Sequence, residues 1–249
     1  MINKKSQFLR RRAKMKTGNI ILALVAVWIM ALAMPGIASA HQPPFTDSFM
    51  LQECGGFSSS GSNPYFVLEP DFQLILEGKE NKQNVHLTIK VLRETSMIDG
   101  VRTRVIEERE THDGELVEVS RNYFAICNRT NSVFYFGEDV DIYENGAVVS
   151  HTGSWHAGEN GARPGIVMPG VILLGGRYYQ EIAPGVAMDR AEIISMSQVI
   201  RTPAGRFENC LETAETTPLE PNALEFKFYA PGIGLIKDGT LGLTYYGRR

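Results

Sequence analysis

Between Val85 and Trp155 apolar and polar residues alternate in short runs, separated by Asp99-Gly100, Asp113-Gly114 and Asn145-Gly146. Alternation with a period of two puts Val85, Leu87, Ile89 and Val91 on one face of a strand and His86, Thr88 and Lys90 on the other. Asp-Gly and Asn-Gly tolerate positive φ at both central residues of a two-residue hairpin turn. The stretch therefore predicts an antiparallel meander with one buried face. A two-residue turn at Asp113-Gly114 sets Arg109 opposite Glu118, Val105 opposite Asn122 and Arg104 opposite Tyr123. The turn at Asn145-Gly146 sets Tyr143 opposite Val148, Ile142 opposite Val149 and Val140 opposite His151.

The same pattern extends to both sides. Phe72 to Leu76 precedes the meander as a strand, joined to it by a polar loop from Gly78 to Asn84. Beyond Trp155, glycine and proline crowd the stretch from Gly158 to Gly176, which predicts a long ordered loop. Strands resume at Tyr178 to Ile182, Ala191 to Ile200, Phe207 to Thr216 and Leu224 to Tyr229, ending in a hairpin about Asp238-Gly239. No stretch keeps a 3.6-residue period over three turns. The class is all-β or nearly so, with a single antiparallel domain over residues 71–249. Residues 41–70, rich in Pro, Gly and Ser, read as an irregular arm.

The first forty residues have a different composition. Lys4, Lys5, Arg10, Arg11, Arg12, Lys14 and Lys16 precede an uninterrupted apolar run from Ile20 to Met34, then Pro35-Gly36 and the small residues Ala38-Ser39-Ala40. This is the pattern of a secretory signal peptide, with cleavage expected after Ala40 and an uncleaved anchor as the alternative. The chain is read as an exported bacterial protein, periplasmic or extracellular, with no membrane span after cleavage. Without the seven basic residues of the leader the formal net charge falls from −3 to −10. An acidic mature chain lacks the basic footprint that nucleic acid demands and any polybasic attraction to anionic lipid. Cys54, Cys127 and Cys210 remain after processing. An oxidising compartment predicts one disulfide and one leftover thiol, with three pairings open.

Several runs carry a resemblance. Phe134-Tyr135-Phe136-Gly137-Glu138-Asp139-Val140, Gly153-Ser154-Trp155, Gly165-Ile166-Val167-Met168-Pro169, Tyr179-Gln180-Glu181, Thr217-Pro218-Leu219-Glu220-Pro221 and Tyr229-Ala230-Pro231-Gly232-Ile233-Gly234-Leu235 occur in that order. Together they resemble a widespread group of exported bacterial β-proteins with no assigned reaction. The tail is also similar to exported proteins of the Lol-type lipoprotein-carrier fold. That resemblance implies an open antiparallel half-barrel or curled sheet with an apolar concave face. Cys127 and His156 stand where the group carries other residues, so a role of either would be particular to this chain.

The candidate chemistry is sparse. Cleavage after Ala40 would make His41 the mature N-terminus, whose α-amine and imidazole chelate copper when a further histidine supplies a third nitrogen. His151 and His156 are the candidates for it, with Met168 as a soft neighbour. Asp139 and Asp141 share one strand face, as a calcium site would need, or simply form a solvated face. Glu181 and Asp189 flank Pro184-Gly185 as a potential acid and base pair. Ser154 lacks a Gly-x-Ser-x-Gly elbow. Trp155, Met168, Tyr178 and Tyr179 are candidates to line a ligand groove. The leading expectation is a non-enzymatic binding domain for a lipid or other apolar envelope ligand, held on a concave sheet face without a cofactor. The alternatives are a copper protein using His41 and a structural envelope module acting through protein contacts.

Overall fold

The computed structural model describes residues 43–248, so the expected signal peptide and His41 lie outside the described residues. The described chain is nearly all β. One large antiparallel sheet curls into a nearly closed barrel-like form with one open seam. Its strands follow one another in space as Arg177–Tyr179, Arg190–Thr202, Gly205–Thr217, Glu220–Ala230, Gly234–Asp238, Leu241–Arg248, Phe72–Glu80, Gln83–Ile98, Val101–His112, Glu115–Cys127, Val133–Glu144, Arg163–Met168 and Glu181–Ile182. A single 3-10 turn, Leu51–Cys54, interrupts the arm. No helix among the described residues is long and apolar enough to cross a membrane.

The three glycine turns form as their chemistry dictates. Asp99 and Gly100 take φ of 46° and 74°, Asp113 and Gly114 49° and 90°, Asn145 and Gly146 52° and 77°. Each pair matches the right-handed twist of the strands it joins. A further tight turn forms at Asn81 and Lys82, with φ of 47° and 73°. It replaces the polar loop expected from Gly78 to Asn84, and both flanking strands run on to the turn. The last hairpin turns on Gly239 and Thr240, pairing Asp238 with Leu241, one residue later than expected.

Two registers shift by one residue because the strands bulge. From the Asp113-Gly114 turn the pairing begins as expected, Thr111 opposite Leu116. A bulge then sets Glu110 opposite Glu118, Arg109 opposite Val119, Val105 opposite Tyr123 and Arg104 opposite Phe124. The extra residue, Val117, increases local twist, which a closing sheet needs. Tyr143 lies opposite Val148 as expected, but a bulge pairs Ile142 with Ser150 instead of Val149. His151 leaves the ladder, and its Nδ1 lies 3.0 Å from the Val140 carbonyl and 2.8 Å from Asp141.

The Gly158 to Gly176 stretch is not all loop. Arg163–Met168 is a strand lying between Val133–Glu144 and Glu181–Ile182. Its glycine and proline content, which argued for a loop, reflects crowding at the seam. A Cβ on Gly165 would lie 2.5 Å from the Gln180 carbonyl carbon and 2.6 Å from the Tyr179 carbonyl oxygen. The segment from Arg177 to Ile182 in turn pairs with Arg190–Thr202 at one end and with Arg163–Met168 at the other, so a single short piece of chain bridges the seam that the ladder leaves open. Gly165→Ala must push backbone apart at that closure, and a loss of about 1–3 kcal/mol is expected. Urea unfolding of the variant checks it.

The concave face packs Leu76, Leu87, Ile193, Leu211, Ile236 and Leu243 to under 2 % exposure. Cys54 bonds Cys127, fastening the arm to the end of the Glu115–Cys127 strand, and Cys210 is the buried free thiol.

Candidate functional site

The interior is organised by a column of rings. Phe66, from the short arm strand Phe66–Val67, meets Phe124 at 5.2 Å, Phe124 stacks on Tyr135 at 4.6 Å, and Tyr135 meets Trp155 edge-on at 5.3 Å. The Phe124–Tyr135 and Trp155–Glu138 cross-strand pairings fix this line, because they turn these side chains to the concave face. The column joins two spaces, one beneath the arm and one at the seam.

Beneath the arm lies a cavity of about 50 Å³, walled by hydrocarbon from Phe66, Leu74, Ile89, Val91, Phe124 and Leu235 among others. Glu108 is the one charged residue in its wall, and Tyr229 adds a hydroxyl-bearing ring. A void of this size forgoes about 1 kcal/mol of contact while unfilled. The arm is held over it by the buried guanidinium of Arg104, which donates to the carbonyls of Ser59 at 2.8 Å and Arg93 at 2.7 Å. Burial pulls the Arg104 pKa down against a smaller opposing pull from Glu69.

At the seam, a more open cleft of about 220 Å³ is lined by Asp139, Ser154, Trp155, His156, Glu159 and Pro184 among others. His156 Nε2 sits 3.1 Å from Asp139 Oδ1 without hydrogen-bond alignment, and its Nδ1 is 3.7 Å from Glu159. The Tyr123 hydroxyl donates to Asp139, and burial together with that carboxylate pushes its pKa well up. Ser154 Oγ accepts the Val140 N–H at 2.8 Å and so ties the turn. The Trp155 indole N–H donates to Glu181 Oε2 at 2.9 Å.

Inward from both spaces the concave face carries acids. Glu108, Glu110, Glu118, Glu138, Glu181, Glu215 and Asp238 are all buried. Lys227 is a buried cation among them, its Nζ 3.0 Å from Glu215 and 3.6 Å from Asp238. Gln180 Nε2 donates to Glu215 Oε1 at 3.1 Å. Burial, with Glu138, Glu181 and Glu108 adding to it, drives the Tyr135 pKa far up, and burial beside Glu215 does the same for Tyr178 and Tyr229.

The structure brings together only some of the residues that the sequence put forward. Trp155 and His156 share the seam cleft. Met168 is fully buried in the core, Tyr178 is buried, and Tyr179 stands partly exposed with its ring edge-on to Phe45 at 6.2 Å. His151 and His156 each pair with their own aspartate, Asp141 at 2.8 Å and Asp139 at 3.1 Å. Among the described residues no group of three or more His, Cys, Asp or Glu is arranged to hold a metal ion. Glu181 turns its carboxylate to Trp155, while it is the backbone carbonyl of Asp189 that accepts the Gln180 and Glu181 N–H groups. Comparison with protein-family models, curated proteins and solved structures finds no match.

Proposed function

We propose that this protein is an exported, non-enzymatic binding domain that holds a small apolar cell-envelope ligand inside its curled sheet. The observation that carries this reading is the cavity beneath the arm, walled by aliphatic and aromatic side chains with Glu108 as its one charged residue. Pockets for small molecules are built this way, mostly apolar with a few polar groups to orient the ligand. The arm strand that bears Phe66 is the natural cover. It belongs to a two-stranded sheet, Ser62–Asn63 with Phe66–Val67, separate from the main one.

The test is retention. Native mass spectrometry of the protein recovered from an exporting host should show a small apolar adduct, or uptake of an added small hydrocarbon. Val91→Phe fills the cavity, and it should abolish retention while costing at most about 1–3 kcal/mol of stability. Equal retention by the variant, or neither adduct nor uptake in the wild type, refutes the reading.

A further inference from the structure

The segment from Pro169 to Gly176 exposes hydrocarbon where a folded protein normally hides it. Val171 is 70 %, Leu173 64 % and Leu174 68 % exposed, in a row interrupted only by the half-buried Ile172, which packs against the core. Ile194, on the neighbouring strand, is a further exposed aliphatic residue.

The loop is held out on fixed posts. Gly170 N–H donates to Ser132 Oγ at 3.0 Å, and a Cβ at Gly170 would fall 1.7 Å from the Thr130 carbonyl oxygen. On the other side Gly175 N–H donates to the Ile193 carbonyl at 2.8 Å, and Ile193 N–H returns a bond to Gly176 at 2.9 Å. Both ends are therefore pinned, and the aliphatic tip is presented to solvent.

The described chain begins at the same pole. Arg177 Nη1 donates to the Pro43 carbonyl at 2.8 Å, and Thr46 exchanges backbone bonds with Arg177 and Tyr179, both at 2.9 Å. Residues 35–42 connect this point to the apolar run Ile20 to Met34. Fully extended, they reach no more than about 28 Å. On the export reading that run crosses the membrane first, and the Val171–Leu174 tip lies beside the point where the described chain is joined to it.

We propose that the Val171–Leu174 loop is a bilayer-docking tip, inserting Val171, Leu173 and Leu174 into the outer face of the membrane the chain has crossed. The attraction is to hydrocarbon rather than to headgroup charge, because the chain without its leader is acidic. Each inserted leucine is worth about a tenfold gain in partitioning. Docking would place a binding domain at the surface from which an apolar ligand is drawn, but it does not depend on that ligand.

The test uses the protein recovered from the exporting host, floated with vesicles of phosphatidylcholine alone and of phosphatidylethanolamine with phosphatidylglycerol. Binding to both, unaffected by salt, is expected. Leu173→Asp with Leu174→Asp should reduce it about a hundredfold at an unchanged melting temperature. The Leu174→Trp variant should gain an emission component that shifts to the blue on vesicles and is quenched by brominated acyl chains. Val91→Phe should float like the wild type, which separates this surface from the interior cavity. No flotation, flotation lost in salt, or flotation retained by the double aspartate variant overturns the proposal. So does a self-association that the aspartates abolish, since the tip would then be an interface between two copies.

Discussion

Replacing Lys227 with methionine is expected to remove about 3–5 kcal/mol of folding stability, the usual consequence of leaving a buried charge without its partner. Lys227 is 2 % exposed and stands between Glu215 and Asp238 at the wall of the curled sheet, where strands Gly205–Thr217, Glu220–Ala230 and Gly234–Asp238 meet. A typical domain has only 5–15 kcal/mol in total, so the variant should unfold at a markedly lower urea concentration. Adding Glu215→Gln should return part of the loss, because one of the two carboxylates that faced the ammonium becomes neutral. If the double variant is no better than Lys227→Met, the lysine acts through packing alone.

The pH dependence has a definite sign. Burial by itself would lower the Lys227 pKa, but Asp238 and Glu215 outweigh it and hold the ammonium well above the ordinary lysine value. A group whose pKa rises on folding contributes stability that is complete below its unfolded pKa, here 10.5, and is lost as pH climbs through the folded value. The wild type should keep this contribution throughout the neutral range and lose it only in strong alkali. In Lys227→Met the deficit should instead shrink in acid, as protonation neutralises the carboxylates that the ammonium faced. Urea unfolding across pH for both proteins checks the two slopes.

Breaking the Cys54–Cys127 bond should have an effect of similar size. The two sulfurs join residues 73 positions apart, and freeing that length of unfolded chain corresponds to about 4 kcal/mol in the loop-entropy account. A paired Cys54→Ala and Cys127→Ala variant is expected to lose about 2–4 kcal/mol. The loss should be uneven across the molecule. With the anchor gone, amides of the arm over residues 57–68 should exchange with solvent much faster than those of the Gln83–Ile98 strand. Exchange that rises equally in both places would mean that the bridge stabilises the whole fold without holding the cover down.

The meander could be read from the chain because its turn residues and its alternation reinforce one another. Asp99-Gly100, Asp113-Gly114 and Asn145-Gly146 each turn where expected, and Val85, Leu87, Ile89 and Val91 share the buried face. Bulges were not legible. Nothing about Val117 or Val149 distinguishes a residue that slips out of a ladder from one that stays in it, because both are ordinary strand formers. The Arg163–Met168 strand was hidden for a different reason: its Pro164 and Gly165 are breakers by propensity, yet Gly165 is there to let two backbones approach.

The interior acids were the larger omission. Glu107-Glu108-Arg109-Glu110 is polar on both faces, so alternation alone cannot say which carboxylates point inward. Once Ile106 is placed inside, however, Glu108 and Glu110 must follow it, and the bulge then sets Glu118 directly across from Glu110. The pairing of Cys54 with Cys127 likewise needed the fold, since it is the pairing of Phe57–Ser58 with Ile126 and Cys127 that brings the Leu51–Cys54 turn to that strand.

The pairing of Leu241–Arg248 with Phe72–Glu80 carries a kinetic consequence. Phe72 lies beside Arg248 and Leu76 beside Leu243, so the first and last strands of the curl are neighbours. Along the sheet's path the other adjoining strands are near one another in the chain, most of them as direct hairpins. Two hairpin stacks, 72–168 and 190–248, can each zip from local contacts, whereas their union has to bring together opposite ends of the domain. Search for that one distant contact carries the largest loop-closure cost in the molecule. The rate of folding therefore rests on the strand pair where the domain's end finds its beginning, rather than on the seam where the sheet stays open.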